Sequence, residues 1–279
     1  MEKVLLAIDG VRIDAQALSF ACYIARLTKS RLVGVFLENF VEEQRQAFKA
    51  PSNMAYSDWP IEVETEGHRH KVELIEQNIS IFKNRCCEEG VRFGVHRDRG
   101  VPDEELIRES RYADLLIIDS ATSFKRKFEG SPSDFARHVM RQAECPVVIA
   151  PQSFKEITEI AFAYDGSASA LFAIKQFTYL FPEFKRLKLT ILKVTETGQW
   201  QDLEKIKFSE WLRDHYEHVE YHALSGEAET ALFDYLIKRP NLFVVLGSYG
   251  RSTLSNLFSK SKAEILIETL TQPIFISHL

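Results

Sequence analysis

Two stretches of this chain open alike. Residues 3–10 form an apolar run closed by Asp9-Gly10, and residues 159–166 form another closed by Asp165-Gly166. A short apolar run bounded by a turn signal is the pattern of a strand buried on both faces. Behind each run the period becomes helical. Leu18, Ala21, Cys22 and Ala25 make one apolar stripe, and Ala170, Ile174, Phe177 and Phe181 make its counterpart. Second strands are predicted over 31–36 and 187–194. Third strands, each with a helix behind it, are predicted over 91–96 and 103–112, and over 218–223 and 227–238. Fourth strands at 113–119 and 241–247 each lead through a polar loop and a helix to a Pro-containing final strand, 145–150 and 272–277.

Strands that alternate with helices of about 10–15 residues specify βαβ units, and these demand a mostly parallel sheet with right-handed crossovers. The predicted class is therefore α/β: two tandem domains, each an open five-stranded parallel sheet flanked by helices. The N-terminal domain is assigned to 1–152 and the C-terminal domain to 153–279, with the join at Pro151-Gln152-Ser153. The first copy departs from the second in a segment inserted near 37–64. That segment reads either as a surface excursion or as a lid over the carboxyl edge of the sheet. The final strands, 147–149 and 274–276, are apolar and would leave open edges, so they are predicted to pair with each other inside one chain.

Composition narrows the functional classes. A chain of 279 residues suits two domains. A net charge of −5 argues against nucleic acid and anionic membrane as partners. No apolar stretch reaches the roughly 18–20 residues that span a bilayer. Asp9 interrupts the N-terminal run too early for a signal-peptide core, and the expected location is the cytoplasm. Cys22, Cys86, Cys87 and Cys145 show no metal-ligand spacing and read as reduced structural thiols. His68 and His70, two apart, would point to different sides of a helix and read as surface histidines, so no metal is expected.

Ligands of open parallel sheets bind at the carboxyl ends of strands, where the strand order reverses. Three features of the second copy converge there. Asp165 ends the first strand, where its carboxylate suits a base, a ribose or Mg²⁺ but equally suits a turn ahead of a helix capped by Ser167. Gly247-Ser248-Tyr249-Gly250 follows the fourth strand, and glycine admits either a phosphate or a tight turn. Ser261 opens the last helix, as a phosphate contact or as an N-cap with Glu264 completing a capping box. No Walker A, GxGxxG or GxSxG pattern competes, and no catalytic residue is assigned.

Gly247-x-x-Gly250, the nine residues 251–259 and the following Lys260-Ser261 together resemble the loop of the universal stress protein family. The strand-Asp-Gly openings and Pro-led final strands extend that resemblance over the whole chain, twice. It implies a flavodoxin-like (adenine nucleotide alpha hydrolase-like) sheet and a role in stress survival. It also implies adenine-nucleotide binding in some members and none in others: ATP or AMP, with Mg²⁺ accompanying ATP, and no catalysis beyond a weak ATPase. The lining residues it implies are Asp165, Val194, Gly247, Tyr249, Gly250 and Ser261, with Val194 near the adenine.

Lys260 stands where the family has a glycine. A Cβ at positive φ costs about 1–2 kcal/mol, yet the ammonium is itself a candidate phosphate ligand. In the first copy, Asp9 ends the first strand and Asp119 and Thr122 occupy the two loop-glycine positions. Gly130-Ser131 follows two residues short of the family spacing. A carboxylate at Asp119 repels phosphate, so this copy is expected not to bind ATP in the family's manner. An interaction protein that keeps the fold without a ligand, serving unidentified partner proteins, is the alternative. A homodimer of the tandem chain also stays open.

Overall fold

The computed structural model describes residues 1–39, 66–125, 129–195, 200, 202–247 and 270–277. Tyr249, Gly250, Lys260, Ser261 and residues 40–65 of the insertion lie outside the described residues.

The first apolar run is β1 (Lys3–Asp9), and its alternation explains why helices cover both of its faces. Val4, Leu6 and Ile8 share one apolar layer with α1 (Ala15–Leu27) and α2 (Glu66–Glu88). Leu5 and Ala7 share the other with α3 (Pro102–Ser110) and α4 (Asp134–Gln142). Parallel to β1 run β2 (Arg31–Asn39), β3 (Phe93–Gly100), β4 (Leu115–Ile118) and β5 (Val147–Ile149).

The second copy repeats the design. Its strands are β6 (Glu159–Ala163), β7 (Lys188–Val194), β8 (His218–Leu224), β9 (Leu242–Leu246) and β10 (Ile274–Ile276). Helices α5 (Ala168–Leu180) and α6 (Asp202–Arg213) join the first layer, and α7 (Ala228–Leu236) joins the second.

The ten strands form one sheet in the order β3-β2-β1-β4-β5-β10-β9-β6-β7-β8. Each half therefore has the internal order 3-2-1-4-5. The halves meet antiparallel, with Ile149 opposite Ile274, Val148 opposite Phe275 and Val147 opposite Ile276. The aromatic packing continues across this seam. Phe20 of α1 lies 6.1 Å from Phe243 of β9. Both apolar layers draw residues from both halves.

Several sequence boundaries move. The second strand runs on to Asn39, because Glu38 and Asn39 pair with Arg99 and Gly100. Glu38 turns inward to accept a 2.5 Å bond from Arg97, so a charged residue continues a strand the apolar pattern had ended at Phe36. The insertion therefore begins after 39 rather than at 37. The third strand starts at Phe93 rather than 91, since Gly90 takes φ +65 and Val91 donates back to Cys86 to close α2. The helix behind it starts with Pro102 at its first position and ends at Ser110 rather than at 112.

Cys86 is buried and Cys87 exposed, as neighbours on a helix must diverge. All four cysteines are free thiols. Among the described residues no helix is long and apolar enough to cross a membrane, and no group of three or more His, Cys, Asp or Glu is placed to hold a metal ion.

Candidate functional site

The strand order reverses at β1/β4 in the first half and at β6/β9 in the second. Those are the two places where an open parallel sheet leaves a crevice at its carboxyl edge. The chain leaving β1 is held from several sides. Gly10 N–H donates to Leu37 O at 3.0 Å, Asn78 of α2 donates from a buried amide to Gly10 O at 2.9 Å, and Arg12 N–H turns back to Asp9 O at 2.9 Å. Asp14 then caps α1, accepting from Ala17 N–H at 2.7 Å.

Each strand-end aspartate makes the same local bond to the amide two residues on. Asp9 accepts from Val11 at 3.1 Å, Asp119 from Ala121 at 3.1 Å and Asp165 from Ser167 at 2.8 Å. These are Asx turns, which aim the chain out of a strand into the next segment. Ser167 in turn caps α5 by accepting from Ala170 at 3.0 Å. Both capping bonds of the turn reading are thus present at Asp165 and Ser167.

In the first half the loop after β4 folds back on the strand end. Ser133 N–H donates to Ser120 O at 2.9 Å, Ser131 Oγ donates to Ser120 Oγ at 2.8 Å, and Ser133 Oγ donates to Thr122 O. Ser133 also caps α4. Ser131 is therefore spent inside its own loop. Asp9, Asp119, Thr122 and Gly130, by contrast, all border a cavity of about 380 Å³ between β1, the first turn of α1 and the β4 loop. Leu6, Ala7, Ile8, Ile13 and Ala17 form its apolar wall; Arg12, Asp14, Lys125 and Glu129 complete its polar side. Lys125 is already paired, with Glu129 at 2.6 Å and with Asp134.

Burial pushes the carboxyls of Asp9 and Asp119 above the usual aspartate range. Their backbone bonds, the Lys71 and Arg12 charges at Asp9 and the Arg12 charge at Asp119 pull the other way without cancelling it. The Asp14 carboxylate adds to the rise at Asp119. The crevice thus holds two reluctant carboxylates on adjacent strands.

In the second half, Val194 ends β7 while Asp165 and Gly247 lie just past the ends of β6 and β9, and these strands are adjacent in the sheet, so the three stand on one rim. Gly247 has a definite steric cause. A Cβ there would lie 2.9 Å from both N and Cα of Ala170, so the exit from β9 presses on the first turn of α5. Asp119 holds the matching position in the first half, where the β4 loop and α1 instead flank the cavity.

Arg12, Asp14, Lys125 and Glu129 escaped the sequence reading. Only Asp14 carried a signal, as a capping residue directly before an apolar-periodic helix. Also unforeseen is a ring stack at the β6 exit. Tyr164 stacks on Phe208 at 4.5 Å and on Trp200 at 5.8 Å, with Lys193 Nζ 5.5 and 5.1 Å from the Tyr164 and Trp200 rings.

No family model matches the chain. A universal stress protein of Synechocystis, Slr1230, is 26% identical over 168 residues, which is 56% of this chain and 55% of that protein's own length. A universal stress protein from Archaeoglobus fulgidus superposes with a TM-score of 0.67 at 18% identity, covering 99% of this chain and 98% of that one. A functionally unknown protein from Pseudomonas aeruginosa, PA1789, superposes with a TM-score of 0.56 at 15% identity over 100% of this chain and 92% of its own.

Proposed function

From a chain that is related to the universal stress proteins and carries their fold twice in tandem, we propose a stress-response regulator of that type, working as a sensor rather than as an enzyme. Its domains, 1–152 and 153–279, act as one pseudo-twofold body joined through β5 and β10. The C-terminal domain is the nucleotide-responsive one, taking ATP or AMP. Asp165, Val194 and Gly247 stand on its rim, and Tyr249, Gly250, Lys260 and Ser261 follow from the loop spacing. Mg²⁺ enters with ATP.

The observation that carries this reading is the asymmetry between the two crevices. The second has glycine where its loop leaves β9, whereas the first has a half-buried carboxylate there. Phosphate is favoured by a bare backbone and opposed by Asp119.

Titration calorimetry of ATP with Mg²⁺ into the purified chain tests it, with Gly250→Val run beside the parent. Micromolar binding that disappears in the variant supports the nucleotide-sensing reading. No copurified nucleotide and no heat at millimolar ATP would leave the interaction-protein reading standing, and the search would turn to partner proteins.

A further inference from the structure

We propose that Cys22 and Cys86 are a redox pair, two thiols that a small hydroperoxide joins into a disulfide between α1 and α2. The two helices present these cysteines to each other. Arg85 donates to Ser19 Oγ at 3.4 Å, and Arg26 pairs with Glu89. Contacts one turn to either side of Cys22 therefore fall on the residues that flank Cys86. Between those contacts the two thiols meet. Both belong to the same apolar layer, and both are 0% exposed.

The contact makes the thiols unequal. Cys86 holds the Cys22 thiol below the ordinary cysteine range; burial and Glu89 oppose this, and Arg85 and Arg26 assist it. The same contact, burial and the neighbouring Cys22 and Cys87 push Cys86 upward. Cys22 is therefore the sulfur that reacts first. Its thiolate attacks one peroxide oxygen, the O–O bond breaks, and the leaving hydroxide takes up the proton that Cys22 had lost. The Cys86 sulfur then attacks the Cys22 sulfenic acid, and the S–S bond forms as the S–O bond breaks. The displaced hydroxyl leaves with the Cys86 proton as a second water. One hydrogen peroxide is thus reduced by the two electrons of the two thiols. Burial selects the oxidant, because hydrogen peroxide is close to water in size and a glutathione-sized disulfide is not. Cys86 lies in the last turn of α2, and helix ends open more readily than helix centres. The bond would tie together two helices that brace the chain leaving β1, through Asp14 on α1 and Asn78 on α2. None of this depends on nucleotide binding in the other half.

The test exposes the folded full-length chain to millimolar hydrogen peroxide and maps its peptides by mass spectrometry without reduction. A linked Cys22–Cys86 peptide is expected in the parent, in Cys87→Ser and in Cys145→Ser, and is expected to vanish in Cys86→Ala. The linked chain should melt about 5–10 °C above the reduced one, because a cross-link restricts the unfolded chain, and dithiothreitol should reverse the gain. Oxidised glutathione should modify the exposed Cys87 and leave the pair unlinked. If Cys86→Ala fails to fold, the parent's own peptide map still decides. Peroxide products confined to Cys87 or Cys145, a sulfinic acid at Cys22 without linkage, a link that forms only in urea, or a linked chain that melts lower would each overturn the proposal.

Discussion

At the scale of single residues, Asp119 and Gly247 make the sharpest contrast, because they hold the same place in the two copies. Burial raises the folded-state pKa of Asp119 above its ordinary 3.8. For an acid with a raised pKa, the stability linked to the group is fully present below the unfolded value and is lost as pH rises through the folded one. Asp119→Asn keeps the acceptor for Ala121 and removes the half-buried charge. It should raise the melting temperature at pH 7.5 by about 2–4 °C, with the gain fading as the pH approaches 3.8. Melts of parent and variant across that range decide it, and a gain independent of pH would contradict the assignment. Gly247 makes the opposite case. Gly247→Ala places a Cβ 2.9 Å from backbone atoms of Ala170. Backbone cannot swing aside as a side chain can, so urea unfolding should show a loss of about 1–3 kcal/mol.

At the scale of elements, local chemistry made most of the fold legible. The apolar runs with their closing Asp-Gly pairs marked β1 and β6 to within a residue or two, because strands covered on both faces admit almost nothing else. Where pattern misled, a tertiary partner was the cause. Glu38 belongs to a strand only because Arg97 on the neighbouring strand neutralises it. Val91 looked like a strand residue and instead closes α2. The Asp165–Ser167 turn and cap were readable as one of two alternatives, since both involve residues adjacent in sequence. The first-half cavity was not readable. Its lining comes from β1, the start of α1 and the β4 loop, and no spacing rule relates Arg12 to Lys125 and Glu129. The caps themselves make a simple prediction. Ser167→Ala should cost about 1 kcal/mol in chemical denaturation by freeing the Ala170 amide, and Ser167→Asp should recover most of it.

At the scale of the whole molecule, the seam decides how the two copies behave. Phe275 is fully buried beside Phe177 and Phe181, and Phe20 reaches Phe243 across the joint. Removing the second copy would strip the Phe20–Phe243 contact and bare the 147–149 strand. Residues 1–152 expressed alone should therefore elute as a dimer or a larger species in sizing chromatography. A well-behaved monomer would mean the seam contributes little. In the intact chain, Phe275→Ala should cost about 3–5 kcal/mol, with ring signals from both halves melting together.

The antiparallel joint has one more result, concerning direction. Because β5 and β10 run opposite ways, the carboxyl rims of the half-sheets face away from each other. A molecule settling into one crevice has no line of sight to the other, and no single small compound can bridge them. Whatever arrives at the two ends arrives separately, along a shared plank of ten strands. The duplication thus yields a body with two doors on opposite walls, each free to change its lock without disturbing its twin.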